Sequence, residues 1–232
     1  MSDKSLGATA FAVYKTLEIS LLCIAQSSTG RLSIASADQL LRGWGRDLCA
    51  HTGVELEILG RDSLSFDRAY VVMSNHQSHF DIPVIYSAFP GSLRMVGKQE
   101  LFKVPIWGRA MRESGFVSVS RSGNRDDAKQ SMGQAAEALG RGISIWMAPE
   151  GTRSMDGQLG AFKKGGFRLA LETGTSILPI TIDGTRAVLP KKQNLLHRGG
   201  HVRVTFGKPI ETSGRTLESL MNDTRAFLAQ AR

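Results

Sequence analysis

The chain has 232 residues, of which 41% are apolar and 22% charged. This length and composition fit one α/β domain with a full core and exclude an extensively disordered chain. Lysine plus arginine exceed aspartate plus glutamate by 29 to 21, a formal net charge of +8, which suits a polyanionic partner such as nucleic acid or an anionic membrane surface.

The basic residues are spread along the chain without a zinc-finger, RNP or P-loop spacing. A nucleic-acid partner is therefore the minor option, and we expect none. Cys23 and Cys49 do not form a C-x-x-C pair, which indicates a reducing compartment and no metal site. The apolar segment near the start lacks a cleavage-like end, so we expect no secretory signal.

The first predicted element is a helix over residues 6–26. It is too apolar for an ordinary surface helix, but Lys15 and Glu18 interrupt it, so it falls short of the roughly 18 uncharged apolar residues of a spanning helix. We interpret it as a helix that lies in a membrane interface. The alternative is a helix buried against the domain.

A second helix is predicted over residues 36–51, where Leu40, Leu41 and Trp44 recur at helical spacing. Trp44 would either anchor at a headgroup layer or simply pack. The two helices together predict an N-terminal two-helix membrane-docking motif over residues 1–52, followed by an α/β domain over residues 53–232.

From Gly53 onward, short β-rich runs alternate with helical patterns, which predicts an α/β fold with a mixed, mostly parallel sheet flanked by helices. The predicted strands cover residues 54–58, 69–73, 93–97, 116–120, 142–147, 176–182 and 201–206. The predicted helices of this part cover residues 79–88, 124–139, 163–173 and 214–230.

The stretch 74–81 lies between a predicted strand and a predicted helix, on the kind of turn that often carries chemistry. Ser78 and Asp81 have the S-x-x-D spacing of a capping box, which predicts a helix start at residue 78 or 79 with Ser78 as the N-cap. We expect the chain to bring the His76 imidazole to the Asp81 carboxylate, which would stabilise the imidazolium. The alternative is that Asp81 only caps and His76 is an ordinary loop residue.

Three further blocks follow or interrupt predicted strands. Residues 115–121 form a strand that ends in Arg121, and residues 149–154 form a tight polar turn. Pro179 lies inside an apolar strand, which predicts a sheet edge or a bulge there.

In this order and at these spacings, the four blocks resemble the motifs of the glycerolipid acyltransferase family, to which bacterial 1-acyl-sn-glycerol-3-phosphate acyltransferases belong. The resemblance runs from about Val54 to Ile210 and includes the N-H-x-x-x-x-D form at Asn75, His76 and Asp81. Two residues depart from the family's pattern. Ala148 stands before the Pro-Glu-Gly turn, where the family usually has an aromatic residue, and Ser120 stands before Arg121, where it usually has a charged one. Acceptor and acyl-chain preference therefore do not follow from the resemblance.

The resemblance implies transfer of a fatty acyl group from a thioester of coenzyme A or acyl carrier protein to the hydroxyl of lysophosphatidic acid, forming phosphatidic acid. It implies no metal or other cofactor, and attachment as a peripheral or monotopic protein at the cytoplasmic face of a membrane. His76 would be the general base, and Asp81 would orient it. The substrate-binding residues that it implies are Lys98, Arg121, Glu150, Gly151, Thr152 and Arg153.

Three alternatives remain at this point. The acceptor could be lyso-ornithine lipid, glycerol 3-phosphate or another lysophospholipid. The protein could bind lipid without catalysis, although headgroup binding needs no base. His79 is a rival base, but we expect it to pack or cap.

Overall fold

The computed structural model describes residues 4–119, 124–154 and 156–230. Its helices are α1 Leu6–Ser28, α2 Ile34–Thr52, α3 Asp81–Ala88, α4 Gln99–Phe102, α5 Trp107–Glu113, α6 Arg125–Gly140, α7 Gly165–Thr173, α8 Thr185–Val188 and α9 Leu217–Leu228. Its strands are β1 Lys4–Ser5, β2 Glu55–Leu59, β3 Val71–Ser74, β4 Leu93–Lys98, β5 Val117–Val119, β6 Ser144–Met147, β7 Ile177–Asp183, β8 Leu196–His197 and β9 His201–Phe206. Every predicted helix and strand is present; β9 has the predicted bounds and the others have shifted ends, whereas α4, α5, α8, β1 and β8 were not predicted.

Seven strands form one sheet in the order β2-β9-β7-β3-β6-β4-β5. β3 to β7 run parallel to one another, while β9 pairs antiparallel with β7 and parallel with β2. The expected mixed, mostly parallel sheet is confirmed.

The sheet divides the core into two layers, as β3 illustrates. Val72 packs with the cluster that includes residues of α1, α2 and α3. Val71 and Met73 pack with residues of α6, α7 and α9 on the other side. Because helices cover both faces of the sheet, all four residues of β3 are buried. Three of them are apolar, and the hydroxyl of the fourth, Ser74, is hydrogen-bonded.

Pro179 lies in the interior of the sheet, so the predicted edge is wrong and the predicted bulge is right. β7 runs between β9 and β3. Its antiparallel pairing joins Ile180 to Phe206 and resumes at the bridge from Ile177 to Ile210. The segment opposite Pro179 thus has one more residue than β7, and this bulge accommodates the strand position that has no N–H to donate.

α1 and α2 contact each other as the predicted hairpin, but α2 also belongs to the core. At Gly45 an added Cβ would lie 2.5 Å from the Pro83 carbonyl oxygen, so α2 and α3 touch backbone to backbone. Trp44 packs rather than anchors, since its Nε1 donates to Thr16 Oγ1 at 3.1 Å and its ring meets Tyr86 edge to face. Contacts therefore cross the domain boundary predicted at residues 52 and 53, which stays a prediction.

α1 leaves most of its surface uncovered. Ala8 and Ser27 are its buried residues, so the alternative of a helix buried against the domain is wrong. Among the described helices, α1 is the one that is long and apolar enough to cross a membrane by length and composition. The predicted position of α1 in a membrane interface stays a prediction.

Candidate active site

The loop after β3 is attached to the sheet by the residues on either side of His76. The Asn75 side chain donates to the Ile182 carbonyl and accepts from the Ile182 N–H, each at 2.8 Å. The buried Ser74 hydroxyl accepts from Trp146 Nε1 at 2.8 Å. The backbone carbonyl of His76 accepts from the Ser154 N–H at 2.8 Å, so the loop is joined to the 149–154 turn.

The predicted contact between His76 and Asp81 is present. His76 Nδ1 lies 2.6 Å from Asp81 Oδ2, and the imidazole is 19% exposed while the carboxylate is fully buried. The ring also meets the Trp146 indole edge to face at 6.0 Å. One side of the imidazole is therefore held by protein, and the other reaches solvent.

Asp81 accepts hydrogen bonds through both of its carboxylate oxygens. Oδ2 accepts from the N–H groups of Gln77 at 2.8 Å and Ser78 at 3.1 Å, and Oδ1 accepts from the Thr185 hydroxyl at 2.5 Å. A carboxylate with these donors takes the proton of Nδ1 as a further hydrogen bond, which leaves Nε2 of His76 with a free lone pair. The arrangement suits a general base.

The capping-box prediction is wrong in its register. α3 begins at Asp81, and the preceding Phe80 provides no side-chain cap. Ser78 Oγ instead accepts from the Phe80 N–H at 3.0 Å and donates to the Leu189 carbonyl at 2.7 Å, so it joins the loop to the segment after α8. The N–H groups of Gln77 and Ser78 bond to Asp81 Oδ2.

The 149–154 turn contains Glu150, one of the predicted substrate-binding residues. Its side chain is buried, and Oε2 accepts from the Gly160 N–H at 2.7 Å, while Oε1 has no partner among the described residues. Gly151 has φ +71°, and a Cβ there would meet the Lys163 side chain at 2.9 Å. Lys163 therefore lies directly over the turn, and Thr152 is exposed beside it.

Two of the predicted cations, Arg153 and Lys98, act electrostatically on His79, two residues before Asp81. The pKa of His79 is lowered by partial burial, then by the positive charges of Arg153 and His76 and, more weakly, of Lys98, against the opposing effect of Asp81. Arg153 and Lys98 thus act on the same space. Lys191 Nζ donates to the Arg153 carbonyl at 2.6 Å, which secures that residue's backbone. Arg121 lies outside the described residues.

His79 is a weaker base candidate than His76. Its side chain is partly open to solvent, and it forms no ion pair in the part of the chain that the structure describes. It lines an apolar groove of about 400 Å³ between α1, α2 and the start of α3. It is therefore open at the groove and not packed in the core, and the expected packing or capping role stays a prediction.

Sequence reasoning missed Thr185, Trp146 and Lys163. Thr185 had a usable signal in the sequence, because Gly184 and Thr185 come directly after the strand β7. In the structure, a Cβ at Gly184 would lie 2.1 Å from the His201 carbonyl oxygen. Trp146 gave no signal, since an indole within an apolar strand reads as core. Lys163 is one of two adjacent lysines, and the direction of its side chain depends on the path of the preceding loop. The described residues hold no cluster of three or more metal-ligand side chains.

Fold and site together define an α/β protein with a histidine held by a buried carboxylate at the carboxyl edge of its sheet. A family model described as Acyltransferase matches residues 55–183, which is more than half of the chain. The chain belongs to the acyltransferase family.

Similar proteins carry more specific names. The chain is 37% identical over 178 residues to the chloroplastic 1-acyl-sn-glycerol-3-phosphate acyltransferase LPAT1 of Arabidopsis thaliana, covering 76% of this chain and 49% of the relative. It is 30% identical over 165 residues to the mouse 1-acyl-sn-glycerol-3-phosphate acyltransferase alpha, covering 71% and 58%. It spans about half the length of these relatives. The crystal structure of the 1-acyl-sn-glycerophosphate (LPA) acyltransferase PlsC of Thermotoga maritima superposes with a TM-score of 0.78 at 25% identity, covering 96% of this chain and 92% of that one.

Proposed function

We propose that this protein transfers a fatty acyl group from an acyl thioester to the free hydroxyl of lysophosphatidic acid and so forms phosphatidic acid. The observation that carries the proposal is the bond from His76 Nδ1 to the buried Asp81 carboxylate. The names of the relatives and of the solved structure support the acceptor.

The reaction needs a base because an alcohol is a poor nucleophile at neutral pH. Nε2 of His76 removes the hydroxyl proton, and Asp81 stabilises the resulting imidazolium. The oxygen attacks the thioester carbonyl, the C–S bond breaks, and the imidazolium returns the proton to the thiolate. General-base help of this kind contributes about 10²- to 10⁴-fold.

The acceptor's phosphate requires cations beside the base. Arg153 and Lys98 fill this role, since both charges act on His79, and an arginine fork suits phosphate oxygens. Arg121 is proposed for the same role from the family resemblance. Glu150 braces the turn through the Gly160 N–H and, with Gly151 and Thr152, contacts the glycerol portion.

The lipid chains need apolar space and access to a bilayer. The 400 Å³ groove that starts at His79 is lined by apolar side chains of α1, α2 and α3. The uncovered face of α1 and the charge of +8 suit peripheral or monotopic attachment to the cytoplasmic face of an anionic membrane. Coenzyme A and acyl carrier protein are both proposed as donors, without a further cofactor.

An acyl-transfer assay on the purified protein tests the proposal. It compares lysophosphatidic acid with lyso-ornithine lipid, glycerol 3-phosphate and other lysophospholipids, each with acyl-CoA and with acyl carrier protein thioester. We expect the highest kcat/KM with lysophosphatidic acid. A higher value for another acceptor would replace the substrate and keep the chemistry, whereas no transfer to any acceptor would refute the proposal.

A further inference from the structure

The exposed large apolar side chains of the described residues fall almost entirely in two segments. One is α1, with Leu6, Val13, Tyr14, Leu17, Leu21 and Leu22. The other, here called the 101–106 segment, has Leu101 44%, Val104 48% and Ile106 59% exposed. Leu59, 41% exposed, lies apart on the edge strand β2. Grouping of this kind marks a contact surface, since scattered exposed apolar residues are normal.

The two segments are neighbours in space. α1 contacts α5, which directly follows the 101–106 segment. An apolar cavity of about 250 Å³ lies between them, lined by Ile19 and Cys23 of α1 and by Leu101 and Met111 from the other side. The cavity therefore joins α1 to Leu101, one of the exposed residues of the 101–106 segment.

The backbone presents Ile106 at a cost. Its φ of 64° and ψ of −53°, with the Trp107 N–H bonded to the Pro105 carbonyl at 2.6 Å, form a γ-turn of the rare positive-φ type. A β-branched residue is strained there, and glycine would not be. The strain brings no burial in return, because the side chain is exposed.

The charges of the region suit an anionic lipid surface. Lys103 is exposed within the 101–106 segment and forms no ion pair among the described residues. Lys15 and Glu18, the charged residues of α1, are engaged with each other, and Lys15 also binds Asp47 of α2. No charge therefore interrupts the exposed stripe of α1.

We propose that the 101–106 segment is a second bilayer-contacting segment, inserting Leu101, Val104 and Ile106 beside α1 with Lys103 at the headgroups. The inference rests on the proposed function, because a lysolipid acceptor resides in a bilayer. It also accounts for the strained isoleucine, whose exposed side chain gains a contact only in lipid. The cavity between the two segments then opens at the membrane.

The test compares a double variant, Val104→Ser with Ile106→Gly, with the wild type and with Leu59→Ser as the matched control. Binding to vesicles of phosphatidylcholine with a minority of phosphatidylglycerol is measured by cosedimentation. We expect about 10-fold weaker partitioning for the double variant than for the wild type. Leu59→Ser should partition like the wild type. Equal partitioning of the double variant and the wild type would overturn the proposal.

Three further measurements test whether the 101–106 segment contacts lipid, has a structural role or binds a second copy of the chain. Ile106→Gly alone should bind vesicles less than the wild type, while its Tm is unchanged or higher because strain is released. A lower Tm would make the isoleucine structural and overturn the proposal.

Sedimentation velocity without vesicles compares self-association of the wild type and the double variant. A loss of self-association in the variant would assign the surface to a second copy of the chain and overturn the proposal. Acyl transfer to a dissolved short-chain lysophosphatidic acid should be equal in all variants. Its absence in the wild type would refute the proposed function instead.

Discussion

At the scale of single residues, the site depends on donors that hold one carboxylate. Asp81 is fully buried and accepts from two backbone N–H groups, one hydroxyl and one imidazole. A buried charge is tolerable only with such partners. The tautomer of His76 therefore depends on groups that never touch the substrate.

Thr185→Val removes the hydroxyl donor at Asp81 Oδ1. A hydrogen bond to a charged group contributes about 1.5–3 kcal/mol, so we expect kcat to fall about 10-fold or more with KM nearly unchanged. Steady-state kinetics measure this, and Thr185→Ser should restore the rate because it restores the donor. Wild-type kcat in the valine variant would exclude a positioning role.

His79 offers a reporter of the nearby cations. The positive charge of Arg153 helps to hold the pKa of His79 below its ordinary value, so Arg153→Gln should raise that pKa. NMR titration of the His79 ring measures the shift, and Arg168→Gln, on an exposed position of α7, is the control. An unchanged His79 pKa in Arg153→Gln would place this guanidinium away from the site.

The sequence could predict the members of this pair but not their support. The N-H-x-x-x-x-D spacing places a base and an acid on one turn, and the contact follows from a short chain reversal. One partner of Asp81, Thr185, is 104 positions away in the chain, and such a contact depends on the sheet order. The start of α3 was misplaced because Ser78 bonds to Leu189 instead of capping.

At the scale of elements, α2 is joined to the sheet by a buried ion pair. Arg94 on β4 is fully buried, and its Nη1 lies 2.5 Å from Asp38 Oδ1 on α2. The same guanidinium donates to the carbonyls of Leu93, Ser114 and Ile34. A helix predicted as a docking element thus also completes the core.

Asp38→Ala should be strongly destabilising, because it leaves the Arg94 charge buried without its counter-ion. Removal of one partner of a buried pair costs about 3–5 kcal/mol. Urea unfolding measures the change, with Asp62→Ala as the control, since the Asp62 side chain is 90% exposed in its pair with Arg61. Equal effects of the two substitutions would contradict the structural role of the pair.

Elements with a clear period were predictable, and short ones were not. Strands such as β3 and β6 have uninterrupted apolar runs, whereas α4 and α8 have four residues each and show no helical period. Pro179 was predictable as a disturbance of pairing. Its place in the sheet interior was not, because the bulge belongs to a segment nearly thirty residues later.

At the scale of the whole molecule, charge and apolar surface point to the same partner. The net charge is +8, and exposed apolar residues cluster on α1 and the 101–106 segment. The expected α/β class and the family follow from alternating elements and four motifs. Attachment to a membrane is tested by binding to vesicles.

Binding to anionic vesicles should weaken as salt is added, because the screening length is about 10 Å at 0.1 M ionic strength. Binding to vesicles of phosphatidylcholine alone should be weaker and respond less, since only the apolar contact operates there. Cosedimentation over a salt series measures both. Anionic-vesicle binding that is independent of salt would contradict a contribution from the basic surface.

We propose His76 as the base of an acyl transfer. Acyl transfer to lysophosphatidic acid by wild type, His76→Ala and His79→Ala, with vesicle cosedimentation of each, tests it most directly. We predict that His76→Ala loses at least about 10²-fold in kcat and binds vesicles like the wild type, while His79→Ala retains most of its rate. Equal rates for His76→Ala and wild type would contradict the account.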